Sequence, residues 1–413
     1  MNLTQTLLLK APNNRHGIVL EPQAAVLSMS DLPSVKHVGV PSSLSSPWQS
    51  AAGGVGYSKD VAQMAAIGEA IERYVAAIVQ LPLKNRRSIP PANQLEATEW
   101  NLFTSEQRAR SGFPFHKIYD EDCPYTSTYD FQDNREIWIP QPLVVLRDDY
   151  QTGVPTSSGL AAGSSAQQAL LRAIQELIER DALMMTWLHS LAARAISVPE
   201  KYEQEIKRLG GEVWAFELTP SYSPFPVIAV AGGIPKKGKW RYSLGVACRD
   251  TWQSALDKAY LEWNQGVLFA GIYEKYVDTS YITKNYALKT FDEHAIYYTL
   301  HPEQWSQVPM FKNKHMINPV AMPGSPINVE NALIQAKKAF KKHGIRLYYR
   351  DLTTVDARQL GLSVVRATSP DFANIFAHQE WPLLGNLESA LKSRYTWALG
   401  TGIFPNLLPH PLG

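Results

Sequence analysis

What the chain has little of narrows its function first. Only two cysteines occur in 413 residues, Cys123 and Cys248, far apart. Two distant thiols support neither a disulfide framework nor a four-cysteine zinc site, and they fit a cytoplasmic protein. His294 and His301 are spaced too loosely to argue for a histidine metal site. No segment reaches the roughly 20 apolar residues that cross a bilayer. The start, MNLTQTLLLKAPNN, has too short an apolar run and no basic lead-in for a signal peptide. Net charge is only +2, which excludes a general attraction to nucleic acid or anionic membrane; any basic substrate groove has to be local. The run Gly53-Gly54-Val55-Gly56 has no Gly-Lys-Ser/Thr, so it is no P-loop. What remains is 45% hydrophobic and 19% charged, which is enough for a sizeable core and too little charge for a disordered chain.

The chain is organised around Thr156 to Leu191. Small residues, Ser157-Ser158-Gly159 and Ala161-Ala162-Gly163-Ser164-Ser165, lead into a run without Pro or Gly that is apolar nearly all round. Such a helix is normally buried. Yet Glu176, Glu179 and Arg180 sit in its middle, and at 3.6 residues per turn they share one face. Tyr57 to Leu81 repeats the device, with Glu69, Glu72 and Arg73 at the same Glu-x-x-Glu-Arg spacing in an Ala-rich helix. A third helix, from Ser254, carries Glu262 and Gln265 one turn apart. Alone, the pairs Glu69 with Arg73 and Glu176 with Arg180 would be ordinary intrahelical ion pairs worth about 0.2–0.5 kcal/mol each. Three such helices hold more acid than the local arginines neutralise. A carboxylate taken from water without a cation shifts its pKa upward until it is neutral, so an outside cation is implied. Oxygen ligands without His or Cys favour Mg2+ over zinc, and Mg2+ usually arrives with phosphates. An Mg-nucleotide site follows. The small, Gly-rich lead-ins before two of the helices offer free backbone amides to an anion, and their duplication suggests two related halves facing one another.

GEAIERY, SSGLAAG running into QELIERDA, the Glu-x-x-Gln of LEWNQ and the Pro-rich end together resemble the YcaO family. More narrowly they resemble its azoline-forming cyclodehydratase component, from the biosynthesis of ribosomally made, thiazole/oxazole-modified peptides. The resemblance runs from about Gly53 to Gly413 with the motifs in the family's order. It implies a YcaO-type α+β fold, mixed sheets with packed acidic helices, in which residues 1–50 form leading strands and loops. It implies ATP held by carboxylate-bound Mg2+. Carried over by position, Glu69, Glu72, Arg73, Glu176, Glu179, Arg180, Glu262 and Gln265 would form the nucleotide site, with Glu72, Glu176, Glu179 and Glu262 on the metal. In relatives a Pro-x-Pro-x-Pro tail lies near the reacting peptide. Here it reads Pro409-His410-Pro411-Leu412-Gly413. Pro409, His410, Pro411 and Gly413 are the catalytic candidates, with the Gly413 carboxylate as proton acceptor and His410 as a lesser acid or base. Ala65 stands where the family often has Ser.

The activity so implied is ATP-dependent cyclodehydration of Cys, Ser or Thr in a precursor peptide to thiazolines or oxazolines. A fused leader-binding domain would bring extra length and zinc cysteines, so a separate partner of the ubiquitin-activating-enzyme-like type is expected. A flavin dehydrogenase and a homodimer within a larger complex are expected with it. Two rivals stand beside this reading: a family member making thioamides or amidines, and a scaffold that binds ATP without turnover. The rest of the chain says less. Residues 82–155 read as Pro-rich loops and strand pieces, 201–209 as an exposed helix, and EVWAFEL, PVIAVAGGI and RYSLGVAC as strands. Residues 271–320 read as a Tyr- and His-rich surface insertion, and Val329 to His343 as an amphipathic helix with a solvated lysine face. Arg346, Arg350 and Arg366 can each reach a phosphate, and spacing does not choose among them.

Overall fold

Three times along the chain a strand turns, within two or three residues, into a long helix: Ala52–Gly56 into Lys59–Ile78, Leu160–Gly163 into Ala166–Leu188, and Lys239–Cys248 into Trp252–Tyr276. These helices are called the first, central and third acidic helices below. Their starts follow from local chemistry. Ser58 is extended and its hydroxyl accepts the Val61 N–H, while Thr251 and Ser254 satisfy each other's backbone amides in a capping box. Small residues then let each helix lie directly on its strand. A Cβ at Gly54 would stand 2.0 Å from the Ala62 carbonyl oxygen, and one at Gly245 would stand 2.1 Å from that of Ala259. The Gly-rich lead-in at 53–56 is therefore a strand paired with Lys36–Val40, and not an anion-cradling loop. Its glycines serve close packing.

The computed structural model describes residues 7–25, 32–42, 51–312, 315–316, 326–396, 398 and 403–412. The chain divides into two compact units. The first comprises Met1–Ala24, Lys36–Leu177 and Asn328–Phe372; the second comprises Ala25–Val35, Ile178–Ile327 and Ala373–Gly413. The central helix thus gives Glu176 to the first and Glu179 to the second.

The first unit holds two antiparallel sheets. One orders Gln23–Ala24, Lys36–Val40 and Ala52–Gly56. The other orders Leu83–Lys84, Tyr125–Asp130, Tyr348–Asp351, Ser363–Thr368 and Leu160–Gly163, with Glu136–Pro140 added against Tyr125–Asp130. The first acidic helix packs on Ala52–Gly56, Lys36–Val40 and Leu160–Gly163. Its buried Ala62, Ala66, Ile67, Ala70, Ile71 and Val75 follow the helical period that turns one face inward.

The second unit's sheet orders Lys239–Cys248, Val227–Lys236, Glu212–Glu217, Arg194–Ile196 and His315–Met316, the last pair parallel. Its long hairpin turns at Lys237 and Gly238, both with positive φ, as a two-residue turn between twisted strands requires. The third acidic helix lies on both hairpin strands. Of the expected surface insertion at 271–320, residues 275–290 are mostly exposed, but the helix after them is core. Helix Phe291–Leu300 buries Glu293, His294, Ile296, Tyr297, Tyr298 and Thr299 and packs on Lys239–Cys248. Its aromatic residues are core, and their lack of clean periodicity comes from packing on more than one side. Of that stretch, 313–314 and 317–320 lie outside the described residues.

Candidate active site

In the first unit the Glu-x-x-Glu-Arg of the first helix meets strand amides. Glu69 accepts the Gly53 N–H at 3.0 Å and pairs with Arg73 at 2.9 Å, and Glu72 accepts the Ala162 N–H at 3.1 Å. A carboxylate has about four lone-pair positions, so one amide leaves room for a metal. Glu72 is crowded. Burial pushes its carboxyl well above the usual range, and Glu176 pushes further in the same direction; Arg73 only partly offsets them. The residue is half-buried by exposure, and burial is the largest cause of its shift.

The cation facing this pair was not legible in the sequence. Arg366, 4% exposed, sits in strand Ser363–Thr368 opposite Leu160. Its Nη1 donates to the Thr156 carbonyl at 2.7 Å, and its Nε meets no acceptor among the described residues. Desolvation lowers its pKa to about 10 against the pull of Glu176 and Glu72. The other two candidate arginines are held elsewhere: Arg346 is forked onto Asp371 and reaches Glu99, and Arg350 donates to Ser127. Strand register separates the three, and register is set by long-range pairing.

The second unit holds the remainder of the second copy, Glu179 and Arg180, among different neighbours. Glu179, 6% exposed, accepts the Cys248 N–H at 3.1 Å. Glu262 pairs with Lys258 at 2.9 Å, one turn back on the third helix, and Gln265 is half-buried on the same helix. Lys258 was missed in the sequence, although its i, i+4 spacing to Glu262 was there to be read. Among the described residues no three His, Cys, Asp or Glu side chains gather closely enough to enclose a metal. Glu69 and Glu262 are turned onto Arg73 and Lys258 instead, and releasing such an i, i+4 pair costs only about 0.2–0.5 kcal/mol. The donors are all oxygen, and the crowded Glu72 with Glu176 gains from a divalent cation. The first unit's residues therefore fit Mg2+.

The tail is buried rather than frayed. Pro409, His410 and Pro411 are enclosed, and His410 is 0% exposed. Its ring stacks on His294 with centroids 4.1 Å apart, and its Nε2 donates to the Phe376 carbonyl at 2.7 Å. Burial, then the neighbouring His294 and Arg180, hold its pKa well below the usual imidazole value. Gly413 lies outside the described residues.

A family model described as YcaO cyclodehydratase, ATP- and Mg2+-binding, matches residues 53–373. The chain belongs to the YcaO family. The matched domain is the one described as binding ATP and Mg2+. Solved structures share the fold at low identity. A heterocyclase in complex with substrate and cofactor aligns over 100% of this chain and 56% of its own, with TM-score 0.74 and 17% identity. This chain thus spans little more than half of that protein. The YcaO protein of Methanopyrus kandleri, bound with AMPPCP and Mg2+, aligns over 89% of this chain and 88% of its own, with TM-score 0.64 and 14% identity. The E. coli microcin synthetase McbBCD complex aligns over 91% of this chain and 97% of the matched chain, with TM-score 0.62 and 16% identity. Curated proteins give no significant sequence match. No helix among the described residues is long and apolar enough to cross a membrane.

Proposed function

We propose that this YcaO enzyme forms thiazolines or oxazolines from Cys, Ser or Thr of a ribosomally made precursor peptide, at the expense of ATP. One observation carries the reading: the half-buried, mutually repelling pair Glu72 and Glu176 with the buried Arg366 facing both. In the first unit Glu72 and Glu176 are proposed Mg2+ ligands, with Glu69 and Arg73 in the nucleotide set and Arg366 as a phosphate contact. In the second unit Glu179 and Glu262 are proposed Mg2+ ligands, with Arg180 and Gln265 in the nucleotide set. Bound Mg2+ would neutralise triphosphate charge. The chain's own contribution is to orient the reactants and to exclude water.

The peptide's thiol or hydroxyl adds to the preceding carbonyl carbon and gives a hemiorthoamide. Its oxygen takes the γ-phosphoryl group of ATP, and ADP leaves. The C–O bond then breaks, phosphate departs, and the nitrogen loses its proton to form C=N. An amide oxygen is a poor leaving group; phosphate is a good one. Residues Pro409 to Pro411, with Gly413, are proposed to lie beside the reacting peptide, and the enclosed, neutral His410 is better suited to hold the tail than to shuttle protons. A separate leader-binding partner is proposed to deliver the peptide, as the likeness to one chain of a microcin synthetase complex supports. The test is phosphate release with the partner and precursor present, followed by product mass. One phosphate and the loss of one water per ring is the expected result. ATP binding without peptide-dependent release would make the chain a scaffold, release with a backbone oxygen exchanged for sulfur would point to thioamide chemistry, and loss of water with every Cys, Ser and Thr side chain still free would point to an amidine.

A further inference from the structure

Four consecutive carbonyls of the tail each meet a side-chain donor. Gln379 Nε2 donates to Leu407 at 3.0 Å, Trp187 Nε1 to Leu408 at 2.8 Å and the Tyr298 hydroxyl to Pro409 at 2.7 Å, and His294 Nδ1 stands 3.1 Å from the His410 oxygen. The donors come from three places: the end of the central helix, helix Phe291–Leu300 and the segment after Phe372. His294 and Tyr298 are four residues apart and so share a helix face. The tail's own donors are few. Pro409 and Pro411 have no N–H, the Asn406 N–H goes to the Leu188 carbonyl, and the Leu408 N–H goes to the Asn406 side chain. An extended polyproline-type segment makes no internal hydrogen bonds, so its carbonyls need outside donors. Here they have them, on walls of Trp, Tyr and His rings. The pattern reads backbone along its whole length and side chains only at its end: Leu407 is 72% exposed, while the His410 ring is enclosed against His294 and Phe376.

We infer that Gln379, Trp187, Tyr298 and His294 form a groove that recognises an extended, proline-containing peptide backbone, and that the tail occupies it as a ligand. The same peptide therefore binds when it is no longer covalently attached. The groove acts as a positioning device for the tail used in the proposed function, but it does not depend on catalysis. His294 sharpens the geometry. Its Nε2 stands 3.0 Å from the Ala377 carbonyl, so a neutral ring has one proton for two acceptors, and the tail is held in the Nδ1–H tautomer.

The experiment keeps the full chain through folding. A protease site inserted between Ala398 and Ile403 is cut afterwards, and a labelled synthetic peptide of residues 403–413 is added. The cut protein is expected to stay folded, to keep its tail, and to exchange it for the labelled peptide. Tyr298→Phe leaves a buried carbonyl without its donor and should weaken the added peptide by about tenfold. A peptide carrying Pro409→Ala and Pro411→Ala should bind more weakly too, because it brings unmatched N–H groups and more freedom to lose. A tail that never exchanges while the fold holds would overturn the inference, as would unfolding on cutting. Equal affinity for the Tyr298→Phe protein would do the same. The readout uses no ATP and no precursor, so its failure and the failure of the proposed activity are separable.

Discussion

The same five-residue spacing, Glu-x-x-Glu-Arg, occurs on two helices, and its carboxylates meet electrostatically different surroundings in the two units. In the first unit the carboxyls of Glu72 and Glu176 repel each other, and burial adds to the strain. In the second, Glu179 holds the Cys248 amide and Glu262 holds Lys258. Spacing turns carboxylates inward. Neighbours decide whether an inward carboxylate is already satisfied or waits for a cation. We therefore expect the first unit's pair to respond most to Mg2+.

The largest expected effect separates the two units directly. Glu72→Gln or Glu176→Gln keeps the shape and removes one charge of the crowded pair; product formation should fall by about 100-fold or more with the fold intact. Glu179→Gln and Glu262→Gln should also lose activity, by about tenfold, and Gln265→Ala, which removes no charge, by less. Steady-state rates alongside circular dichroism decide it. Wild-type rate in any Glu variant would make that carboxylate structural, and equal losses would erase the contrast between the units.

Mg2+ dependence comes next. An acid cluster repels a triphosphate unless a cation intervenes, so EDTA should weaken ATP binding by about 100-fold in titration calorimetry. Arg366→Met should weaken it by about tenfold, as expected for one buried charge-assisted contact. Equal ATP affinity with and without EDTA would mean that these carboxylates do not hold the phosphates.

How far the sequence reached follows from the range of each signal. The three acidic helices were legible because apolar periodicity and in-plane glutamates are local, and so were the long hairpin strands. Arg366 was not separable from Arg346 and Arg350, since only the pairing of Ser363–Thr368 with Leu160–Gly163 brings it to Glu72 and Glu176. The run at 53–56 was misread because glycines that open a turn and glycines that admit a helix look alike in sequence. Helix Phe291–Leu300 was taken for surface because residues packed on several sides lose the single-face period.

A pH effect of moderate size tests the second unit. Burial lowers the pKa of His294 to about 4. An unfolded histidine takes up its proton as pH falls through about 6.5, while the folded ring resists until about 4. The unfolded state then binds more protons, so stability is fully present above pH 6.5 and is lost as pH falls toward 4, by roughly 3 kcal/mol over that window. His410, also held low by burial, adds a loss of the same sign. His294→Gln keeps a donor but does not titrate, and should flatten part of the fall in denaturation midpoint measured from pH 7 to 4. An unchanged pH profile would mean that the ring is already protonated in the fold.

The smallest effect is the most telling about the two copies, because its sign differs between them. The Glu72 carboxyl is raised, so the folded state holds its proton more tightly than the unfolded chain does. Stability contributed by that proton is full below the ordinary carboxylate value and declines as pH rises above it. At pH 7.5 without nucleotide, Glu72→Gln removes the penalty, and its amide oxygen can still accept the Ala162 N–H. The melting temperature should rise by about 2 °C. Glu179→Gln trades a charge-assisted bond to the Cys248 amide for a neutral one, so its melting temperature should stay level or fall. Adding Mg-ATP should reverse the order at the first site, since a ligand stabilises only the protein that binds it. Differential scanning calorimetry of both variants, with and without nucleotide, reads all four values. A Glu72→Gln protein less stable than wild type without ligand would show that its carboxylate is as well satisfied as Glu179, and the difference between the two copies would be gone.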